Sequence, residues 1–193
     1  MREMDHDSVD PWLWLEDVDS DEALAWVRER NAETERELGA LPGYAALRAR
    51  RKTILDARDR IPYVGHHDGR YYNFWRDADH ERGIWRRTTL DEYRKPAPDW
   101  ETVLDLDALA RTENENWIWA GVSFLEPHGT RCLVSLSRGG GDAHVVREFD
   151  VATRAFVAGG FALPEAKTSA GWVDHDTLFV ATDFGPGSMT ASG

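Results

Sequence analysis

The sequence is poor in several features that would assign it to a class. Its single cysteine, Cys132, cannot form an internal disulfide, so nothing places the chain in an oxidising compartment. No apolar run approaches the ~18 residues of a membrane span. Residues 1–7 have neither the basic region nor the apolar core of a signal peptide. We therefore expect a cytoplasmic protein.

Positive charge is scarce as well. The 193 residues include 23 Lys and Arg against 35 Asp and Glu, which gives a formal net charge of −12. Such a chain repels the phosphate backbone of nucleic acids and anionic membrane surfaces, so we expect neither as a partner. Hydrophobic residues make up 41% and charged residues 30%, as in a globular protein and unlike a disordered one.

The motifs of two common catalytic sites are missing. A serine hydrolase elbow needs Gly-x-Ser-x-Gly, and Ser123 and Ser137 each have only one of the two glycines. Both serines fall in strand patterns, which favours a structural role. The glycine run 139–141 lacks the Lys-Ser/Thr and the helix that follow a phosphate loop. We predict that this run is the flexible tip of a hairpin.

The histidines suggest no metal site. His66 and His67 are adjacent, and neighbours in a strand point to opposite faces, so both cannot easily reach one ion. We expect them, with Asp68, to end a strand at a turn. His128 and His175 also sit beside turns and are expected to be exposed. We therefore assign no catalytic residue, no cofactor-binding residue and no metal ligand to this chain.

A recurring unit of strands and turns spans residues 69–184. It occurs about two and a half times, and a turn pair such as Asp68-Gly69 or His175-Asp176 precedes each copy. The strand runs of the unit are residues 71–75 with 84–88, 132–136 with 144–149, and 178–182. A repeat of roughly 45–60 residues made of short strands is typical of a β-propeller blade, which needs neighbours to bury its faces. We predict a mainly β fold, with two to three blades of four-stranded antiparallel sheets forming an incomplete propeller over residues 63–193.

Further strands and connections complete this prediction. Residues 102–106 are short strand material, and residues 117–124 are apolar enough to be buried on both faces. Residues 93–100 and 161–169 are expected to be loops, and 110–116 a charged linker. Trp75, Trp85, Trp117 and Trp119 could form a platform for stacking sugars or peptides, but we expect them to pack between blades.

Residues 1–62 form a separate region with two predicted helices. The run Trp12-Leu13-Trp14-Leu15 follows Pro11, and we interpret it as an extended arm packed on another part of the protein. The alternative is a strand or single turn on the core of its own domain. The first helix is predicted from an N-cap at Asp19 to about Leu38, and the second from Tyr44 to near Ile61, before Pro62. The carboxylates of residues 16–22 suit a helix N-terminus and do not indicate a glycosidase pair.

The order of these parts resembles the prolyl oligopeptidase family of serine peptidases. The segment Asp10-Pro11-Trp12-Leu13-Trp14-Leu15-Glu16-Asp17 with residues 23–31 is similar to the start of that family. Residues 172–183 and 187–193 are similar to parts of its propeller. The resemblance covers nearly the whole chain in order, although the strands are individually less specific than the N-terminal segment.

The resemblance implies a fold, a reaction and partners. Members of the family join a seven-bladed propeller to an α/β-hydrolase domain, on which the N-terminal helices pack. The propeller covers the active site and admits short peptides, which a Ser-His-Asp triad cleaves, typically after proline. The triad lies far towards the C-terminus, so none of its residues carries over to this chain. The resemblance implies an N-terminal part that is inactive alone and whose partners are a C-terminal hydrolase domain and the remaining blades.

Two other functions stay open on the sequence. A non-enzymatic Trp-rich β-domain could bind a peptide or a sugar, in which case the isolated chain would bind its ligand tightly. A relative in the same superfamily could act on esters or other acyl substrates, and only the hydrolase domain would distinguish it from a peptidase.

Overall fold

A computed structural model describes residues 10–17, 19–127 and 129–188. The chain divides into two units, Met1–Leu55 and Asp56–Gly193. Among the helices in these described ranges, none combines the length and the apolar character needed to cross a membrane.

The first unit is helical. A 3₁₀ helix, Leu13–Glu16, precedes α1, Asp21–Gly39, and α2, Tyr44–Leu55. The predicted N-cap at Asp19 is wrong by one residue. Ser20 has an extended backbone, and its Oγ accepts a hydrogen bond from the Ala23 amide at 3.2 Å, so Ser20 caps the helix. Asp21 and Glu22 lie in the first turn, where the helix dipole favours carboxylates.

The predicted extended arm is a 3₁₀ turn packed within its own unit. The ring centroids of Trp12 and Trp14 lie 5.9 and 6.2 Å from that of Trp26 in α1. These contacts match the alternative of a single turn placed on its own domain. Trp12 nevertheless stays half exposed, which leaves apolar surface on this cluster.

The second helix is shorter than predicted, because it ends at Leu55 and not near Ile61. The following residues belong to the second unit. There Arg58 pairs with Asp79, and the Arg60 guanidinium donates to the carbonyl of Arg76. These tertiary contacts hold the segment outside a helix several residues before Pro62.

The second unit begins with an antiparallel sheet in the order β1-β2-β3-β4. Its strands are Gly65–His67, Arg70–Trp75, Ile84–Thr88 and Glu101–Asp105. Asp68 and Gly69 have φ values of 44° and 71°, so they form the tight two-residue turn of the first hairpin. A short helix, α3 (Leu90–Tyr93), connects the last two strands.

A second antiparallel sheet and a final strand pair follow. The strands are β5 Trp117–Phe124, β6 Arg131–Arg138, β7 His144–Asp150, β8 Ala155–Phe156, β9 Ala162–Ala166, β10 Ser169–Asp174 and β11 Thr177–Ala181. Both β8 and β9 pair with β7, so two short strands fill the fourth position of this sheet. The strands β10 and β11 pair only with each other within the described residues, as expected for the start of a third copy.

Two elements differ from the sequence prediction. The supposed linker 110–116 contains the second half of α4, Leu106–Glu113, whose apolar residues Leu106 and Ala110 are buried while its charges stay outside. Asp105 caps this helix by accepting a hydrogen bond from the Ala108 amide at 2.9 Å. The supposed connection 161–169 contains β9, which tolerates Pro164 because that residue has no partner in the register with β7.

The main core lies between the first two sheets. Its largest fully buried side chains are Trp85 from the first sheet and Phe149 from the second, with ring centroids 6.1 Å apart. Trp117 belongs to the same cluster, and Trp119 packs against it. Cys132 also lies there, and burial raises the pKa of its thiol, which leaves it an unreactive packing residue.

Candidate functional site

The first strands of the three sheets lie side by side. The ring of His67 in β1 stacks on Phe124 of β5, with centroids 3.7 Å apart. The indole Nε1 of Trp172 in β10 donates to the carbonyl of Ser123 in β5 at 3.1 Å. Since β1, β5 and β10 each form one border of their sheet, these contacts create a common inner edge. A propeller places such strands around its central channel.

A cavity of about 400 Å³ opens at this inner edge between β1 and β5. Aromatic rings form much of its wall, and two histidines and a carboxylate add polar groups. The residues concerned are Tyr63, His66, His67, Tyr72, Trp85, Trp119, Phe124 and Glu126. An apolar cleft with a few polar groups is the usual form of a ligand pocket.

His67 is the central polar residue of this cavity. It is 6% exposed, and its Nδ1 lies 3.1 Å from Glu126 Oε1 while its Nε2 lies 3.0 Å from the carbonyl oxygen of Gly129. Both partners are hydrogen-bond acceptors. These contacts join the first sheet to the turn after β5 and place the ring beside a carboxylate.

The structure separates the other polar residues considered for chemistry. His66 is exposed while His67 is buried, so the two neighbours point to opposite faces, as predicted. His175 is exposed, whereas His128 lies outside the described residues. Across ranges 10–17, 19–127 and 129–188, no group of three or more His, Cys, Asp or Glu side chains could hold a metal ion.

The two serines have structural surroundings. Ser137 is buried, and its hydroxyl donates to the carbonyl of Gly141 at 2.7 Å. This bond closes the hairpin tip, where Gly139 and Gly140 have φ values of 67° and 88°. Ser123 is exposed in β5, and its carbonyl binds Trp172. The prediction that β5 is buried on both faces is wrong here, because only Trp117 of that strand is buried and β5 forms a border of its sheet.

A second polar cluster lies on the far face of the first sheet, that is, the face that points away from the second sheet. The prediction that Trp75 packs in the core between these sheets is wrong. Its ring lies on the opposite face of the first sheet, under two guanidinium groups. The guanidinium carbons of Arg60 and Arg86 lie 4.5 and 4.3 Å from its ring centroid. Arg86 also lies 4.2 Å from the ring of Trp100, so it is held between two indoles.

Sequence reasoning missed both clusters, for the same reason. His67 and Glu126 are 59 positions apart, and only the packing of two sheets brings them together. Arg86 is opposite Asn73 in the strand register, and its Nε donates to Asn73 Oδ1 at 3.0 Å. The alternation of β2 places Asn73 and Trp75 on one face, and this was the available signal. The register with β3 then adds Arg86 to the same face.

Comparison with known proteins finds two peptidases that are similar to this chain. An uncharacterized peptidase of Sinorhizobium fredii is 45% identical over 188 residues, which are 97% of this chain and 26% of that protein. An uncharacterized peptidase of Rickettsia prowazekii is 34% identical over 176 residues, or 86% of this chain and 24% of that protein. The chain therefore spans about a quarter of the length of these relatives.

A solved structure agrees in both sequence and fold. The post-proline cleaving enzyme of Rickettsia typhi matches with a TM-score of 0.83 and 34% identity, over 89% of this chain and 26% of that one. The family model described as the N-terminal beta-propeller domain of prolyl oligopeptidase matches residues 2–191. The sheets sharing an inner edge are thus blades of an incomplete propeller, and the chain belongs to the prolyl oligopeptidase family as part of its N-terminal propeller domain.

Proposed function

We propose that this chain is the N-terminal part of a prolyl-oligopeptidase-like serine peptidase that hydrolyses short peptides, typically after proline. The family match over residues 2–191 carries this proposal, since it joins the chain to a domain that occurs in peptidases. The likeness to a post-proline cleaving enzyme supports proline as the preferred residue before the cleaved bond. The catalytic triad would be supplied by an α/β-hydrolase domain beyond these 193 residues.

The role proposed for the blades is to limit access to that domain. Their first strands meet along one inner edge, and the cavity beside His67 opens there. A peptide passing along this edge would meet aromatic rings and the hydrogen-bonded side chains of His67 and Glu126. Residues 1–62 would pack on the hydrolase domain, with the exposed apolar side chains of α2, such as Leu47 and Ile54, at the contact. A cytoplasmic location stays a prediction.

The test compares the longer protein with the 193-residue chain. A fluorogenic Gly-Pro amide should be cleaved by the longer protein, and a serine-directed inhibitor should stop the reaction. The matched Gly-Ala amide should be cleaved more slowly, and the 193-residue chain should cleave neither. Cleavage of the Gly-Pro amide by the 193-residue chain, or equal rates on both amides, would contradict the proposal. A folded protein substrate containing the same sequence should resist cleavage if the blades restrict entry.

A further inference from the structure

The face of the first sheet that points away from the second sheet carries a half-buried cation, Arg86, which forms no ion pair with any described residue. Arg86 lies between Trp75 and Trp100, and among the described residues its one hydrogen bond runs from Nε to Asn73. Burial lowers the pKa of Arg86 to about 10, the Asp77 carboxylate raises it, and the charge of Arg60 lowers it again. A cation removed from water is costly unless an anion faces it.

Among the cations near Arg86, Arg58 pairs with Asp79 and Lys95 pairs with Glu92. The surroundings of Arg86 are therefore close to balanced in charge, unlike the chain as a whole. They form a cavity of about 670 Å³ whose wall contains four cationic side chains and two carboxylates. The whole chain has a formal net charge of −12. Tryptophan, tyrosine and proline residues supply much of the remaining wall. Within this apolar frame an entering group would meet the terminal nitrogens of Arg86, which donate no hydrogen bond among the described residues. The complementary ligand is a carboxylate on an apolar surface.

The position of this face in a ring indicates which surface supplies that carboxylate. In a closed propeller, neighbouring sheets cover both faces of every sheet. The second sheet covers the face of the first sheet that carries Tyr72 and Trp85. The face with Trp75 and Arg86 is therefore turned towards the sheet that closes the ring. The chain spans about a quarter of its relatives, which leaves length for such a sheet in the longer protein.

We propose that the slot between Trp75 and Trp100 is the closing seam of the ring, where Arg86 receives an Asp or Glu side chain from the last sheet of the same protein. This inference rests on the proposed function only in requiring the longer protein. The bidentate fork of a guanidinium fixes the geometry of a carboxylate, and the two indoles hold that fork in place. Closure of the ring then depends on the ion pair between Arg86 and this carboxylate, with the guanidinium held between Trp75 and Trp100.

Photo-cross-linking in the longer protein tests this directly. Ala97 lies on the wall of the cavity and is exposed, so benzoylphenylalanine can replace it without disturbing the core. After irradiation, mass spectrometry should find an intramolecular adduct with a segment of the last sheet that carries Asp or Glu. Lys95, on the same wall, provides a second position if the first variant does not fold. An adduct to any other segment or to a second molecule, or no adduct from either folded variant, would overturn the proposal.

Two neighbouring arginines of β3 provide the matched control. Arg86→Met should abolish the adduct, because the closing carboxylate loses its partner. Arg87→Met should preserve it, since Arg87 already donates to both carboxylate oxygens of Glu101, at 2.7 and 3.2 Å. Equal adducts in both variants would refute the role of Arg86. If the unmodified protein cleaves the Gly-Pro amide but the variants form no adduct, the seam is rejected and the proposed function stands. If the adduct forms but the amide is not cleaved, the seam stands and the proposed function is rejected.

Discussion

The second and third copies of the repeated unit show how far burial depends on neighbours. Leu133 in β6 and Phe179 in β11 hold the same place in the repeat, the second residue of the strand run. Leu133 is 2% exposed, whereas Phe179 is 77% exposed. Both strands have a hairpin partner, but β6 is also paired on its other side with β7. What differs is that β6 lies inside a complete sheet beside another sheet, while β11 is the free border of a pair.

The largest effect should come from truncating these two residues. Leu133→Ala removes a fully buried side chain and should lower the free energy of unfolding by about 2–5 kcal/mol. Phe179→Ala removes a larger but exposed side chain and should change it by less than about 0.5 kcal/mol. Urea denaturation of the 193-residue chain, followed by circular dichroism, measures both values. Similar losses in the two variants would mean that position in the repeat, and not the neighbouring sheet, sets burial.

A second pair of substitutions separates backbone strain from packing. Gly83, before β3, and Gly185, after β11, have φ values of 106° and 99°, so alanine is strained at both. A Cβ at Gly83 would lie 2.5 Å from Phe74 Cζ, whereas nothing lies within 4 Å of one at Gly185. The ring of Phe74 cannot yield freely, since it stacks on Trp119 with centroids 5.1 Å apart. Gly83→Ala should therefore cost about 1–3 kcal/mol more than Gly185→Ala in the same denaturation experiment.

These pairs also show what the sequence could establish. The bounds of β3 and β5 were predicted to the residue, because runs of Trp, Ile and Val between turn residues mark strands clearly. The helix α4 was missed because its buried residues are few among many charges. The site at His67 was missed since its partners belong to another sheet, and such contacts leave no mark in local periodicity.

Two aspartates in turns extend the comparison to pH. Asp77 lies between β2 and β3, and Asp174 at the end of β10. Burial by itself would raise the pKa of Asp77, but hydrogen bonds from Trp75, from His80 and from the Asp79 and His80 amides lower it to about 2, from an ordinary value of 3.8. The pKa of Asp174 is also lowered, chiefly by the Asp176 amide, but this carboxylate is exposed to solvent.

The expected pH dependence follows from the sign of the Asp77 shift. A carboxylate with a depressed pKa stabilises the fold above its unfolded pKa, and this contribution disappears as the pH falls through the folded value. Asp77 should contribute up to about 2 kcal/mol above pH ~4, with loss between about pH 4 and pH 2. Asp77→Asn should reduce the dependence of the melting temperature on pH over that interval, and Asp174→Asn should leave this dependence nearly unchanged. If the melting temperature of Asp77→Asn changes with pH as much as that of the unmodified chain, other carboxylates cause the acid sensitivity.

The smallest effect concerns the hydrogen bond that ties the third pair to the second sheet. Trp172→Phe keeps an aromatic ring against Phe161 but removes the Nε1 donor to the Ser123 carbonyl. The loss should be about 0.5–1.5 kcal/mol, the usual net contribution of one hydrogen bond. Because β10 and β11 have no further strand partner among the described residues, this loss should act locally. Amide hydrogen exchange should therefore become faster in β10 and β11 and stay unchanged in β6 and β7, where Leu133→Ala should accelerate it. Faster exchange throughout the second unit would show instead that the third pair already folds as one body with the complete sheets.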